Sequence, residues 1–495
     1  MANESTFSRD RVAGVLVAGA CGDALGAGYE FGPPLADHTE VSMIGGGPFR
    51  FAPGEWTDDT SMAIAIAEAV RSGADLLDEF TQDQLLARWV DWSVDAKDMG
   101  TQTRAVLGAS RRLPGAAAAR QHAKDVHEQA GRSAGNGSLM RTGPVALAYL
   151  NDPDRLAEAA RSISGLTHYD RDAGDACVLW CLAIRHAIEH GEFDVRVGLP
   201  WLPDDQRDRW AGLITEAESR QPRDFPHNGW VVEAFQAAWS AIVTTQVPVE
   251  HPVARSYSAS HLQFALEAAV RGGNDTDTVA AIAGSLLGAR WGVSAVPLHW
   301  QRDLHGWPDL RYRDLIELAA DRGSEPEPPT YEALAQLRLA TIHPHDPDVV
   351  MGGINAAHEL PVTCDAVVSL CRSVSHLVPV GLTEQRNHVE VWLIDKPGHD
   401  ANPHVQFVLD QAARAVQDMR SEGRRVFLHC AAGQSRTPAV GAIYGANVQD
   451  VLVRDELAKL LAIMPDSRVG EHFIDAIDER DGLRDRSSAR ECAFG

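Results

Sequence analysis

Cysteine is scarce in this chain: seven in 495 residues, an odd number with no CxxC pair and no zinc-ligand spacing. That argues against a disulfide framework and predicts reduced thiols in a cytosol. Long hydrophobic runs are missing as well. The longest, Val12–Cys21 and Ala280–Ala289, are Gly- and Ala-rich and closely bounded by charge, well short of the roughly 20 residues a membrane span needs. The first ten residues mix acids and bases in a polar stretch, unlike a secretory signal. Net positive charge is absent, the formal value being −24. A broad nucleic-acid-binding surface is therefore not expected, because a polyanion would be repelled over most of the molecule.

What is present is an ordinary globular composition, 44% hydrophobic and 23% charged, in a chain too long for one core. Residues 11–295 read as predominantly helical, with Ala-rich segments at helical spacing such as Ser61–Val70 and Leu156–Ile163. Gly45-Gly46-Gly47, Gly135-Asn136-Gly137 and Gly272-Gly273-Asn274 interrupt them as loops where backbone approaches something closely. A Pro/Glu-rich stretch, Gly323–Pro329, then reads as a linker. Beyond it, strand candidates Ala366–Leu370, Val389–Ile394 and Val426–His429 alternate with a helix over about Pro403–Met419. That alternation predicts a small α/β domain with a mainly parallel sheet. The expected division is a domain over 8–320, a linker over 321–340 and a second domain over 341–482.

Two clusters carry oxygen chemistry. Trp56-Thr57-Asp58-Asp59-Thr60-Ser61 and Asn274-Asp275-Thr276-Asp277-Thr278 each precede an apolar helical run. Either alone would serve as a helix cap. Together they offer four carboxylates and hydroxyls of Thr57 and Thr278, and four assembled anions need a cation. An oxygen-only set without cysteine suits Mg²⁺ or Mn²⁺.

The order of motifs resembles the ADP-ribosylglycohydrolase family, also called dinitrogenase-reductase-activating glycohydrolase-like or crystallin J1-like. The matching blocks are Gly22-Asp23-Ala24-Leu25-Gly26 with Glu30, Trp56–Thr60, Asp98-Met99-Gly100 through Thr103-Arg104, Gly135–Arg141, Thr167-His168 and Gly273–Thr278. The resemblance implies an all-α fold with two Mg²⁺ ions below an ADP-ribose cleft. It implies that Thr57, Asp58, Asp59, Asp275, Asp277 and Thr278 hold the ions, and that Glu30 and Asp98 are the carboxylates near the scissile bond. It also implies that Asn136, Gly137, Ser138 and His168 grip the ADP-ribose. Asn274 is an extra residue in the second cluster, expected to alter the loop or the ion geometry while the Asp-Thr-Asp-Thr order survives. The leaving group stays open: an arginine, a serine, a nucleic-acid base or terminal phosphate, or a small molecule.

The second domain holds His429-Cys430-Ala431-Ala432-Gly433-Gln434-Ser435-Arg436-Thr437 between a strand and a helix. Five residues between Cys and Arg let the intervening amides and the helix N-terminus face a phosphate. The same field favours a thiolate, and Arg436 supplies a planar fork for two oxygens. The string resembles the dual-specificity branch of the protein tyrosine phosphatases. That resemblance implies Cys430 as nucleophile, Arg436 as phosphate binder and Thr437 as the hydroxyl assisting thiol-phosphate breakdown. Asp395 is preferred over Asp400 as general acid.

The overall expectation is a multidomain, bifunctional cytoplasmic hydrolase. An all-α ADP-ribosylglycohydrolase-like domain precedes a small α/β cysteine-phosphatase-like domain. Its substrates would be ADP-ribosylated proteins, nucleic acids or small molecules and a phosphorylated compound, with no membrane partner. The alternatives are a cysteine phosphatase with an ADP-ribose-binding regulatory domain, or a non-catalytic scaffold of the crystallin J1 type.

Overall fold

The computed structural model describes residues 7–131, 133–320, 340–358, 364–371, 378 and 386–483. The chain divides into two compact units. The first comprises Met1–Gln246, His261–Val296 and Asp303–Asp321; the second comprises Val247–Ser260, Pro297–Arg302 and Arg322–Gly495. Among the described residues, no helix is long and apolar enough to cross a membrane.

The first unit is helical, apart from the two-residue strands β1 (His305–Gly306) and β2 (Leu310–Arg311). Its centre is a pair of helices, Arg9–Gly26 and Thr276–Trp291, in extensive contact. Their sequences are apolar or small on every side, as fits fully buried helices. Glycine sets how closely they pack. A Cβ on Gly22 would lie 2.1 Å from the Ala280 carbonyl oxygen, and one on Gly26 2.4 Å from the Asp277 Cα. One on Gly288 would fall 1.9 Å from the Gly14 carbonyl oxygen. No larger residue fits at these crossings without moving backbone. The Ala-rich segments identified in the sequence lie in helices Asp58–Arg71 and Pro153–Ser164.

The second unit contains a five-stranded sheet: β3 (Ala340–His343), β4 (Asp346–Gly353), β5 (Ala366–Ser369), β6 (His388–Glu390) and β7 (Val426–Cys430), in the order β3-β4-β7-β5-β6. β3 pairs antiparallel with β4, and the remaining pairs are parallel. The β3–β4 hairpin was not foreseen. The strand expected over Val389–Ile394 ends at Glu390, because the Asn402 side chain takes both the amide and the carbonyl of Ile394. The expected linker lies outside the described residues except for Ala340, which opens β3.

The end of the helix pair remote from the acid clusters is fixed by Asp10. Its carboxylate accepts from the Ser294 amide at 2.8 Å and the Ser294 hydroxyl at 2.6 Å. Burial pushes its pKa from 3.8 to about 6, with the Ser294 bonds opposing. The folded state thus holds this proton more tightly than the unfolded chain. Stability falls as pH rises from about 4 through about 6 and levels off above. Two pH units correspond to ~3 kcal/mol. Asp10→Asn has no proton to lose, so chemical denaturation should show it gaining up to ~3 kcal/mol on the wild type between about pH 4 and about pH 7. A stability gap that does not change with pH would contradict this.

Candidate active sites

Helix geometry brings the two acid clusters together. Asp58 and Asp59 occupy the first turn of one helix, with Thr57 as its N-cap, and Asp277 occupies the first turn of another, with Asp275 as its N-cap. Thr57 Oγ1 donates to Asp59 Oδ2 at 3.0 Å, and Thr278 Oγ1 reaches the same oxygen at 3.4 Å from a residue 219 positions away. Carboxylate oxygens of Asp23, Asp59 and Asp277 lie within 4.8 Å of one another, as do those of Glu30, Asp98 and Asp277. Asp277 belongs to both groups.

Protein cations act on these acids without pairing with them: Arg104 on Asp98 and Arg141 on Asp58. Among the described residues no Lys or Arg forms an ion pair with any of the seven, and Glu30 Oε2, Asp59 Oδ1 and Asp277 Oδ1 are buried without a hydrogen-bond partner. Burial, followed by repulsion from neighbouring acids, holds Asp58, Asp59 and Asp277 well above the usual carboxylate range and pushes Glu30 up to about 9. Burial likewise raises Asp98 to about 6, opposed by the Met99 amide, and raises Asp275. Carboxylates, threonine hydroxyls and unpaired oxygens make a donor set suited to hard divalent cations.

Two residues that organise the site were not assigned roles from sequence. Asp23, buried in the Arg9–Gly26 helix, accepts from the Thr57 amide at 2.9 Å, the Thr60 amide at 2.9 Å and the Thr60 hydroxyl at 2.6 Å. It therefore fixes the turn that carries Asp58 and Asp59. The signal was its place in the Gly22-Asp23 block. Asn228 accepts from the Asp275 amide and donates to the Gly273 carbonyl, and no sequence signal marked it. The extra Asn274 sits in the left-handed region at φ 63°, which Asn tolerates better than most residues. Its carbonyl accepts from the Phe31 amide and its amide donates to the Gly32 carbonyl. The insertion thus ties the Glu30 turn to the second cluster.

The other expected residues gather nearby. Asn136 donates to Asp275 Oδ2 at 2.7 Å. Gly137 lies against the His168 ring, where a Cβ would come within 3.2 Å. The Ser138 hydroxyl accepts from Ser164 at 2.9 Å within the core. His168 Nδ1 pairs with Thr167 Oγ1, which accepts from the buried Arg141. Burial, then the Arg141 charge, pushes His168 down to about 3, so its ring is neutral.

In the second unit, Cys430 ends β7 and Arg436 begins the helix Arg436–Gln449. The Gly433 amide donates to Cys430 Sγ at 3.2 Å. Gly433 has φ 75°, and a Cβ there would strike the Gly353 amide at 2.5 Å, so the loop needs glycine at this position. Arg436 Nη1 donates to the Leu370 and Leu393 carbonyls. Asp395 accepts from the Ser435 hydroxyl at 2.9 Å and lies 3.7 Å from Arg436 Nε. The Thr437 hydroxyl donates to the Gly352 carbonyl.

Residues 4–333 match the family described as ADP-ribosylglycohydrolase. The chain is similar to the ADP-ribosylarginine hydrolase Tri1 of Pseudomonas putida (strain GB-1), 31% identical over 301 residues, covering 59% of this chain and 73% of that protein. It is also similar to the ADP-ribosyl-[dinitrogen reductase] glycohydrolase of Rhodospirillum rubrum, 28% identical, covering 59% of this chain and 89% of that protein. A solved structure titled as that of human DUSP28 overlaps 30% of this chain and 94% of its own, at 17% identity and a TM-score of 0.25, too low to carry an argument.

Chelator-treated protein should gain thermal stability on addition of Mg²⁺ or Mn²⁺, by about 2.7 kcal/mol when free ion reaches about 100 times Kd. Asp277→Asn, altering the acid shared by both groups, should abolish that gain and stabilise the ion-free protein by removing a repelling charge. Melting curves with and without ion test both; an unchanged ion response in the variant would remove the cation assignment.

Proposed function

Since the chain belongs to the ADP-ribosylglycohydrolase family, we propose that the domain expected over 8–320 hydrolyses an ADP-ribosyl glycosidic bond with Mg²⁺-type ions held by Thr57, Asp58, Asp59, Asp275, Asp277 and Thr278. The observation that carries this reading is the convergence of acids from positions 23 to 277 with no Lys or Arg ion pair to any of them among the described residues. A pure scaffold or binding module has no use for that repulsion. Divalent ions bound there would fix sugar hydroxyls and lower the pKa of bound water.

The residues divide the remaining work. Asp23 and Asn228 are positioning residues that set the two clusters at their helix starts. Asp98 is half-buried on the exposed side of the Glu30–Asp98–Asp277 group, so it is the carboxylate best placed to move a proton to or from water. Glu30, whose own Oε2 is buried without a partner, is the carboxylate this reading puts near the metals and the scissile bond. The neutral His168 ring and the Asn136–Ser138 backbone form the ADP-ribose wall, Gly137 permitting close approach. Arginine is the leaving group named for one relative, and it heads the substrates to test. Release of free ADP-ribose from arginine-, serine- and nucleic-acid-linked substrates should fall more than about a hundredfold in Asp275→Ala and Asp277→Ala. Equal activity in all three proteins would refute the assignment.

A second activity is favoured by one observation: the Cys430 sulfur accepts the Gly433 amide of the loop that leads into a helix whose first residue is Arg436. We propose phosphate monoester hydrolysis there, over about 341–482, with Cys430 as nucleophile, Arg436 as phosphate fork and Asp395 as general acid. Asp400 makes no such approach to Arg436. Thr437 anchors the loop on β4 through Gly352. The buried free cysteines fit a reducing compartment such as the cytosol. Cys430→Ser should abolish hydrolysis of a simple aryl phosphate while leaving ADP-ribose release intact; retained phosphatase turnover would refute the thiolate role.

A further inference from the structure

One stretch reverses the charge of the whole chain. Met99–Lys124 holds Arg104, Arg111, Arg112, Arg120 and Lys124 and not one Asp or Glu, in a protein of net charge −24. It begins directly after Asp98. Helices Thr101–Ser110 and Ala116–Ala130 form it, and between them lies a groove of about 420 Å³ lined by Arg104, Ala105, Gly108, Ala109, Arg112, Leu113 and His122.

The basic residues are not equivalent. Arg111 is engaged with Ser93, and Arg120 with Gln82 and Ser162. Arg104 spends one nitrogen on the Met99 carbonyl and is exposed, with its charge also acting on Asp98. Arg112 is exposed and His122 half-buried, its Nε2 buried without a hydrogen-bond partner. Arg104 lies in the first turn of the helix Thr101–Ser110 and Arg112 in the turn just past its end, so they flank the groove from its two ends. The floor between them is apolar and open: a Cβ on Gly108 would meet nothing within 4 Å, and Leu113 is 59% exposed. The inner end of the helix meets the active site, since Thr103 Oγ1 lies 3.4 Å from where a Gly137 Cβ would stand.

We propose that this groove docks an acidic peptide segment flanking the ADP-ribosylated residue of a protein substrate. The proposal rests on the glycohydrolase reading and extends it to substrate class. Two guanidinium forks match carboxylates, and the Ala–Gly–Leu floor accepts an apolar side chain between them. Nucleic acid fits less well, because none of the lining residues is Phe, Tyr or Trp and His122 is the one ring among them on which a base could stack.

The test uses the full-length chain. Fluorescence anisotropy measures binding of a labelled ten-residue Glu/Leu peptide, a Lys/Leu peptide and a single-stranded oligonucleotide of the same charge as the first. Binding of the acidic peptide should weaken with salt and drop at least tenfold in Arg112→Glu, with Arg112→Lys, which keeps the charge and loses the fork, falling in between. Melting temperature confirms that the variants fold. In turnover, Arg112→Glu should raise KM for an ADP-ribosylated acidic peptide without changing kcat, and leave hydrolysis of ADP-ribosyl-arginine unchanged. Undiminished peptide binding in Arg112→Glu, equal binding of the Lys/Leu peptide, or tighter binding of the oligonucleotide would overturn the proposal. The binding arm needs no turnover, so a failed groove and a failed glycohydrolase reading give different results.

Discussion

The close crossing of two glycine-lined helices governs the first unit. Gly22 and Gly26 on one helix let the backbone of the other approach to where no Cβ fits. Only at that separation can Asp23, inside the first helix, share a 4.8 Å group with Asp277 at the start of the second. Close backbone packing is usually discussed as a source of stability. Here its main consequence is electrostatic, because it forces acids from opposite ends of the domain into one buried volume.

The same constraint explains which parts of the site could be read from residues alone. Thr57-Asp58-Asp59 and Asp275-Thr276-Asp277-Thr278 were legible because donors crowded before a helix have few structural uses when they occur twice. Their convergence was not legible in spacing, and it came from a family resemblance. Asp23 stood in a quoted motif, yet its work is hidden: all its hydrogen bonds go to Thr57 and Thr60, more than thirty positions away. Asn228 lay outside every motif, since one side chain bridging two loop backbones leaves no periodic trace.

In the second unit, the Cys430–Arg436 loop was legible because its spacing is set by backbone amides. The strand through Val389–Ile394 was misjudged for a reason of the same kind. Its apolar run predicted a ladder beyond Glu390, but Asn402 supplies the hydrogen bonds of Ile394 and releases the chain from the sheet. The β3–β4 hairpin was overlooked because His343, Pro344 and His345 break the β-branched texture that marks a strand.

Both candidate centres sit at helix N-termini, which bounds the negative charge each can hold. A helix N-terminus favours nearby negative charge by about 0.3–1 kcal/mol, up to ~2 kcal/mol when partly buried. One phosphate is within that capacity once Arg436 adds a full positive charge. The acid cluster is not: two carboxylates about 4 Å apart repel by ~4 kcal/mol at an effective dielectric of about 20, and Asp58, Asp59 and Asp277 share two helix starts with Glu30, Asp98 and Asp275 close by. The helix dipoles fall short by several-fold, and no lysine or arginine among the described residues makes up the difference. Either several of these acids hold protons at neutral pH or divalent cations join them. The oxygen-only donor set, with threonine hydroxyls beside the carboxylates, is the kind that divalent cations of the Mg²⁺ type take.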